Sequence, residues 1–154
     1  MVLMVSHFFT SCSTTINQAV YDKQLKTKML VGLSNRGGLQ QDPFSVWFNK
    51  EYGAYALNKE AVQVIKNDSE NLSIKLFMGT WCKDSRRDVP RIYRILDAAD
   101  FDESRLTLIN VDREKNSPTG EEAGLNIHHV PTLILYKNSS EIGRVIESPI
   151  QSLE

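Results

Sequence analysis

Residues Gly124 to Asn138 read GLNIHHVPTLILYKN, and Pro131 divides them into two kinds of chain. Ahead of the proline the segment is polar, with Gly124, Asn126 and the adjacent His128 and His129. Beyond it, Thr132 to Lys137 is a mostly apolar run with the composition of a buried strand. Proline has no N–H for a ladder, so Pro131 suits the leading position of that strand. It is also the residue type at which a cis peptide costs least. EIGRVIE, Glu141 to Glu147, reads as a further strand, joined to the first by the hairpin-like link NSS.

Working outward, LSIKLFM (Leu72 to Met78) and RLTLINVD (Arg105 to Asp112) read as two more strands. Between them RRDVPRIYRILDAA reads as a helix with Val89, Ile92, Leu96 and Ala99 on one face. TGEEAG supplies a short helical turn before Gly124. Strand, helix, strand, then two strands in a hairpin predicts an α/β domain with a central mixed sheet and a right-handed crossover. Upstream, KMLVGL offers a short strand, which the turn formers in SNRGGLQQDPF end. Phe44, Trp47, Phe48, Tyr52 and Tyr55 follow at spacings of three and four, a helical stripe suited to core packing. Asn58 then caps a helix to about Asn67, with Val62 and Ile65 inward.

Composition narrows the function. The chain has 154 residues and a formal net charge of −1, which gives one domain-sized core and no general pull toward nucleic acid or an anionic membrane. Arg86, Arg87, Arg91 and Arg94 alternate with Asp84, Asp88 and Asp97, as on a solvated helix face, with a docking patch as the alternative. Only Cys12 and Cys82 are present, so no disulfide framework holds the fold. No metal site is expected, because His128 and His129 lack further ligands at close spacing. No cofactor is indicated.

The chemistry concentrates in GTWCKDSRRDVP, Gly79 to Pro90. Cys82 stands where a strand gives way to a helix. There, free backbone N–H groups and the positive end of the helix dipole favour thiolate over thiol. Cys82 is therefore expected to titrate lower than a free thiol and to attack disulfides. The alternative is an inert buried cysteine, against which Trp81, Lys83, Asp84 and Ser85 indicate a surface turn. Pro90 removes one helical donor and should bend the helix.

From Leu72 to Glu147 the chain resembles the thioredoxin family. WC falls at a strand-to-helix junction, Pro90 lies eight residues after Cys82, NVD ends the next strand, and GLNIHHVPTLILYKN matches the family's cis-proline segment. The region from Met29 to Lys66 resembles, less strongly, the leader of a bacterial subgroup. The resemblance implies a thioredoxin-like fold with a cis Val130–Pro131 bond beside Cys82. It also implies that the Val130 backbone is free to pair with a substrate strand, a form of β-augmentation. Trp81, Val130 and Pro131 are then the substrate-binding residues and Cys82 and Ser85 the catalytic pair, with Lys83, Asp84 and His129 as supporting candidates.

Two departures from the family matter. Ser85 stands where a resolving cysteine would; its hydroxyl can hydrogen-bond a thiolate but cannot close a disulfide. Leu76 stands where the family has a buried acid. The expected activity is thiol–disulfide exchange through Cys82 alone, with protein or glutathione disulfides and thiols as partners. Two alternatives stay open: a redox-silent peptide-binding module, and Cys12 as a distant resolving thiol. The family's C-terminal helix is missing or truncated after SPIQSLE, which leaves a sheet face either exposed or covered by the N-terminal segment.

Residues 1–28 are read as leader and tether, and 29–154 as the domain. The start MVLMVSHFFTSCS, with small residues before Cys12, resembles a lipoprotein signal, though without a basic residue ahead of its apolar run. On that reading residues 1–11 are removed, Cys12 carries the lipid, and the domain is periplasmic or attached to the cell envelope. The other reading is a short leader on a cytoplasmic protein.

Overall fold

The computed structural model describes residues 15–147 and Leu153. Cys12, the SPIQ stretch and Ser148 lie outside the described residues. Six strands, β1 (Gln18–Asp22), β2 (Thr27–Ser34), β3 (Leu72–Met78), β4 (Leu106–Asn110), β5 (Thr132–Lys137) and β6 (Ser140–Ile146), form one mixed sheet in the order β1-β2-β4-β3-β5-β6. The helices are α1 (Arg36–Leu39), α2 (Ser45–Ala54), α3 (Lys59–Asp68) and α4 (Lys83–Ala98). β3 and β4 are parallel, as a crossover through α4 requires, and the remaining pairings are antiparallel. The sheet flanked by helices is the thioredoxin-like α/β arrangement that the sequence predicts.

β3 is central, with Ile74, Leu76 and Met78 buried on one face and Phe77 on the other, hence its largely apolar composition. Ile74, Leu76 and Met78 meet Val89, Ile92, Tyr93 and Leu96 of α4, with Phe48 of α2 completing the cluster. Phe77 on the opposite face joins Ile109, Val111, Ile127, Val130 and Ile134. Leu76 has no exposed surface. Burying a side chain of this size stabilises the fold by about 1.5–3 kcal/mol. The ring of Phe48 meets that of Tyr93 edge-on, with centroids 5.7 Å apart, so the aromatic stripe is core packing.

The caps follow the sequence. Asn58 Oδ1 accepts the N–H groups of Glu60 and Ala61 at the start of α3. Val62 is buried against Ile95 and Ala99, and Ile65 packs on the same cluster. In the β5–β6 link, Asn138 and Ser139 both have positive φ, 50° and 66°, as a two-residue hairpin turn demands.

The described part of the segment expected to be a tether is structured differently. Gln18–Asp22 is an edge strand paired residue for residue with β2, from Gln18 opposite Val31 to Asp22 opposite Thr27. Its side chains are mostly exposed, so backbone hydrogen bonds hold it and no apolar face is needed. Asp22 makes the turn by accepting the N–H groups of Gln24 and Leu25. The alternating charges of α4 are also not uniformly solvated. Asp88 is buried, Arg91 reaches Glu51 of α2, and Asp97 takes both Arg36 and the Tyr52 hydroxyl.

Over β5 and β6, the face that carries α4 forms an open apolar groove of about 490 Å³. Ile65 of α3, Ile92 of α4, Leu133, Leu135, Val145 and Leu153 line it.

Candidate active site at the start of α4

The site is built from the turn between β3 and α4. Cys82 is the N-cap residue of α4, with φ −84° and ψ 130°, and its N–H donates to the Gly79 carbonyl at 2.9 Å. Gly79 N–H in turn donates to the Ser85 hydroxyl at 3.3 Å. Thr80 Oγ1 accepts Leu30 N–H at 3.1 Å, which ties the turn to β2. Trp81 folds over this turn and donates its indole N–H to the Val111 carbonyl at 2.9 Å. The ring passes so close that a Cβ on Gly79 would lie 2.5 Å from Trp81 Cε2, so only glycine fits there.

Cys82 is a free, half-buried thiol. It donates to the carbonyl of Val130 at 3.2 Å. The Val130–Pro131 peptide is cis. Thr132 Oγ1 bonds the His129 carbonyl at 2.7 Å, and Glu147 N–H bonds the Pro131 carbonyl at 2.7 Å, so both sides of the proline are pinned. The structure therefore brings Trp81, Cys82, Val130 and Pro131 together at the end of the sheet where β3 finishes and β5 begins.

Three site expectations take a different geometry. The Val130 backbone is not wholly free, because its carbonyl already holds the thiol hydrogen. The Ser85 hydroxyl, fully buried, accepts from Gly79 and so is bonded to the turn. The side chain of His129 is exposed, and its Nδ1 lies 3.2 Å from Glu147 Oε1, so its partner is a carboxylate on the chain leaving β6. Of the other two supporting candidates, Lys83 is exposed and Asp84 pairs with Arg87 at 2.9 Å.

The sequence reading left out the cations around Trp81. The Arg113 guanidinium lies 5.2 Å from the ring centre and the Lys115 ammonium 5.7 Å from it. Arg113 also bonds Asp22 at 2.7 Å, a contact between the β1–β2 turn and the loop after β4. That bond, helped by the Gln24 and Leu25 N–H groups, holds the Asp22 carboxyl below the usual range although burial opposes it. Arg86, one turn past Cys82, donates Nε–H to the Thr80 carbonyl. Burial pushes its guanidinium below the ordinary arginine range, while Asp22 and the Cys82 sulfur act in the other direction. Residues 91 positions apart meet in the Asp22–Arg113 pair, and no local pattern announces such a contact. Among the described residues, no group of three or more His, Cys, Asp or Glu side chains is placed to hold a metal ion.

No protein-family model matches the chain, and no curated protein matches it. Thioredoxin O1 from Arabidopsis thaliana in its oxidised state is similar at 25% identity, over 59% of this chain and 78% of that chain, with a TM-score of 0.40. Thioredoxin O2 from the same plant aligns at 21% identity over 58% and 74%, with a TM-score of 0.39. A Pseudomonas aeruginosa protein of unknown function aligns at 13% identity over 71% and 64%, with a TM-score of 0.46.

Proposed function

We propose that the chain performs thiol–disulfide exchange with Cys82 as its single nucleophile. The observation that carries this reading is a half-exposed thiol at the N-cap of a 16-residue helix, with a buried serine three residues on. The helix start favours negative charge on sulfur. In the first step the Cys82 thiolate attacks one sulfur of a disulfide. A Cys82–substrate S–S bond forms, the original S–S bond breaks, and the departing thiolate takes up a proton. Cys82 is oxidised and the departing sulfur reduced. Ser85 cannot close the second half of a dithiol cycle, so an external thiol, from glutathione, the substrate or a partner protein, attacks the mixed disulfide and restores Cys82. Through its bond to Gly79, Ser85 acts as a positioning residue for the turn.

One observation favours a second reading. The bond to the Val130 carbonyl is made only by a protonated sulfur, as suits a groove that binds peptides beside Pro131 without exchange. Incubation with oxidised glutathione separates the two. Exchange predicts a glutathione adduct on Cys82 that forms faster than on a short unstructured peptide of the same local sequence. Added thiol should reverse it, and it should be absent in Cys82→Ser. A rate no greater than the peptide's overturns the exchange reading. A lipid on Cys12, with a periplasmic or envelope location, is part of the same proposal. Recovery of unmodified Cys12 from cells would remove that part, and would reopen Cys12 as a resolving thiol.

A further inference from the structure

Every other arginine of the chain has its charge answered. Arg36, Arg87, Arg91, Arg105, Arg113 and Arg144 pair with carboxylates, and Arg94 lies over the ring of Tyr52 at 5.3 Å. Arg86 makes no direct ion pair and no ring contact among the described residues; Asp22 and the Cys82 sulfur act on it only through space. Its Nε–H is anchored on the Thr80 carbonyl, which fixes the guanidinium beside the catalytic turn while its two amino groups take no protein acceptor there. Its backbone N–H bonds the Cys82 carbonyl at 3.1 Å, so it lies one helical turn from the thiol.

Three cations, Arg86, Arg113 and Lys115, gather around Trp81 and Thr80. The buried carboxylate beside them, Asp22, is bonded to Arg113, and Asp112, next to Arg113 in the chain, accepts the Asn116 N–H. The acid nearest Cys82 in sequence, Asp84, is held by Arg87. A partly exposed fork with two free donor groups suits a planar carboxylate better than it suits a single sulfur atom.

We propose that Arg86 is the specificity-determining residue of the Cys82 site, receiving a carboxylate of an acidic disulfide substrate. This deepens the exchange reading above and rests on it. The chemical step is unchanged: the Cys82 thiolate displaces one half of the acidic disulfide, which leaves as a thiol after taking up a proton.

The test uses the full chain and two small disulfides of similar reactivity, dithiodipropionate, which carries carboxylates, and uncharged hydroxyethyl disulfide. The rate of adduct formation on Cys82 is read by mass spectrometry and divided by the rate of a free thiol with the same reagent. The expected result is a preference for the acidic disulfide at low salt. Arg86→Gln should reduce that preference about 5–10-fold through the acidic reagent alone, Arg86→Lys should retain part of it, and added salt should erase it. Equal slowing of both reagents in Arg86→Gln would mean that Arg86 serves the sulfur itself, and would overturn the proposal. So would an unchanged preference. If Arg86→Gln does not fold, the salt dependence of the unmodified chain and the Arg86→Lys rates decide. If neither disulfide labels Cys82 faster than the free thiol, the exchange reading falls, and this proposal falls with it.

Discussion

The thiol of Cys82 and the carbonyl of Val130 are bonded to each other at 3.2 Å before any substrate arrives. On the proposed exchange reading, the nucleophile and the docking backbone are thus coupled. When the sulfur gives up its hydrogen, Val130 O loses its donor and becomes an acceptor for an incoming N–H group. A strand laid beside Pro131 would then supply the replacement.

A synthetic peptide disulfide tests this coupling. With the backbone N–H next to its cysteine methylated, the peptide should label Cys82 about 3–10-fold more slowly than the unmethylated peptide, the loss expected for one net hydrogen bond. Equal rates for the two peptides would mean that the Val130 carbonyl takes no part in docking.

Gly79→Ala should disturb the same turn from the other side. The new methyl group would meet Trp81 Cε2 at 2.5 Å and Nε1 at 2.6 Å, so the indole must move and its bond to Val111 must weaken. Overpacking of this kind costs about 1–3 kcal/mol. Urea unfolding reads the loss, and Trp81 fluorescence measured in a Trp47→Phe background reads the displacement. An unmoved emission spectrum would contradict the close packing.

Asp22 should make stability depend on acid. Its folded carboxyl titrates below the usual range, chiefly because Arg113 donates to it. A depressed folded value means that the stabilisation is present above the unfolded value near ~4 and is lost as pH falls through the folded one. Asp22→Asn should therefore lower stability at neutral pH by about 1–3 kcal/mol, the scale of a buried charge-assisted bond. The gap between the two proteins should close as the pH is taken below about 4. A gap that persists undiminished in acid would show that Asn fails at this position through the turn and not through charge.

What the sequence showed, and what it hid, follows from where each signal is written. The strands β3 to β5 and helix α4 carry apolar residues in register because each buries a face against a neighbour, and Asn58 marks the start of α3 through a bond to residues two and three places on. β1 has no such mark. Of its five side chains only Asp22 is buried, so the strand exists through its partner and not through its own pattern. In the site, the junction carrying Cys82 was legible, since a strand, a turn and a helix follow one another in the chain. The cations were not: the Asp22–Arg113 contact joins residues 91 positions apart in the chain, and in sequence Arg86 is one member of a charged helical run. Ser85 could be named from its spacing. Its bond to Gly79 could not, because the direction of a hydroxyl is set by how the turn packs.

The last prediction concerns a residue that the fold tolerates at a cost. Asn110 ends β4, opposite Gly32 of β2 and Met78 of β3, and no part of it reaches solvent. Neither its Oδ1 nor its Nδ2 has a hydrogen-bond partner among the described residues. A buried amide left in this state forfeits about 1–3 kcal/mol, and an apolar side chain of similar shape forfeits none of it. Valine also suits a strand better than asparagine does. Asn110→Val should therefore raise the urea midpoint with an unchanged slope, a gain of about 1–2 kcal/mol. Asn110→Ala should gain less, because the cavity it leaves offsets part of the relief. Asn110→Asp should be strongly destabilising, since it places a charge where nothing answers it. A loss of stability in Asn110→Val would show instead that the amide is satisfied in solution, with an internal water as the partner such a site admits.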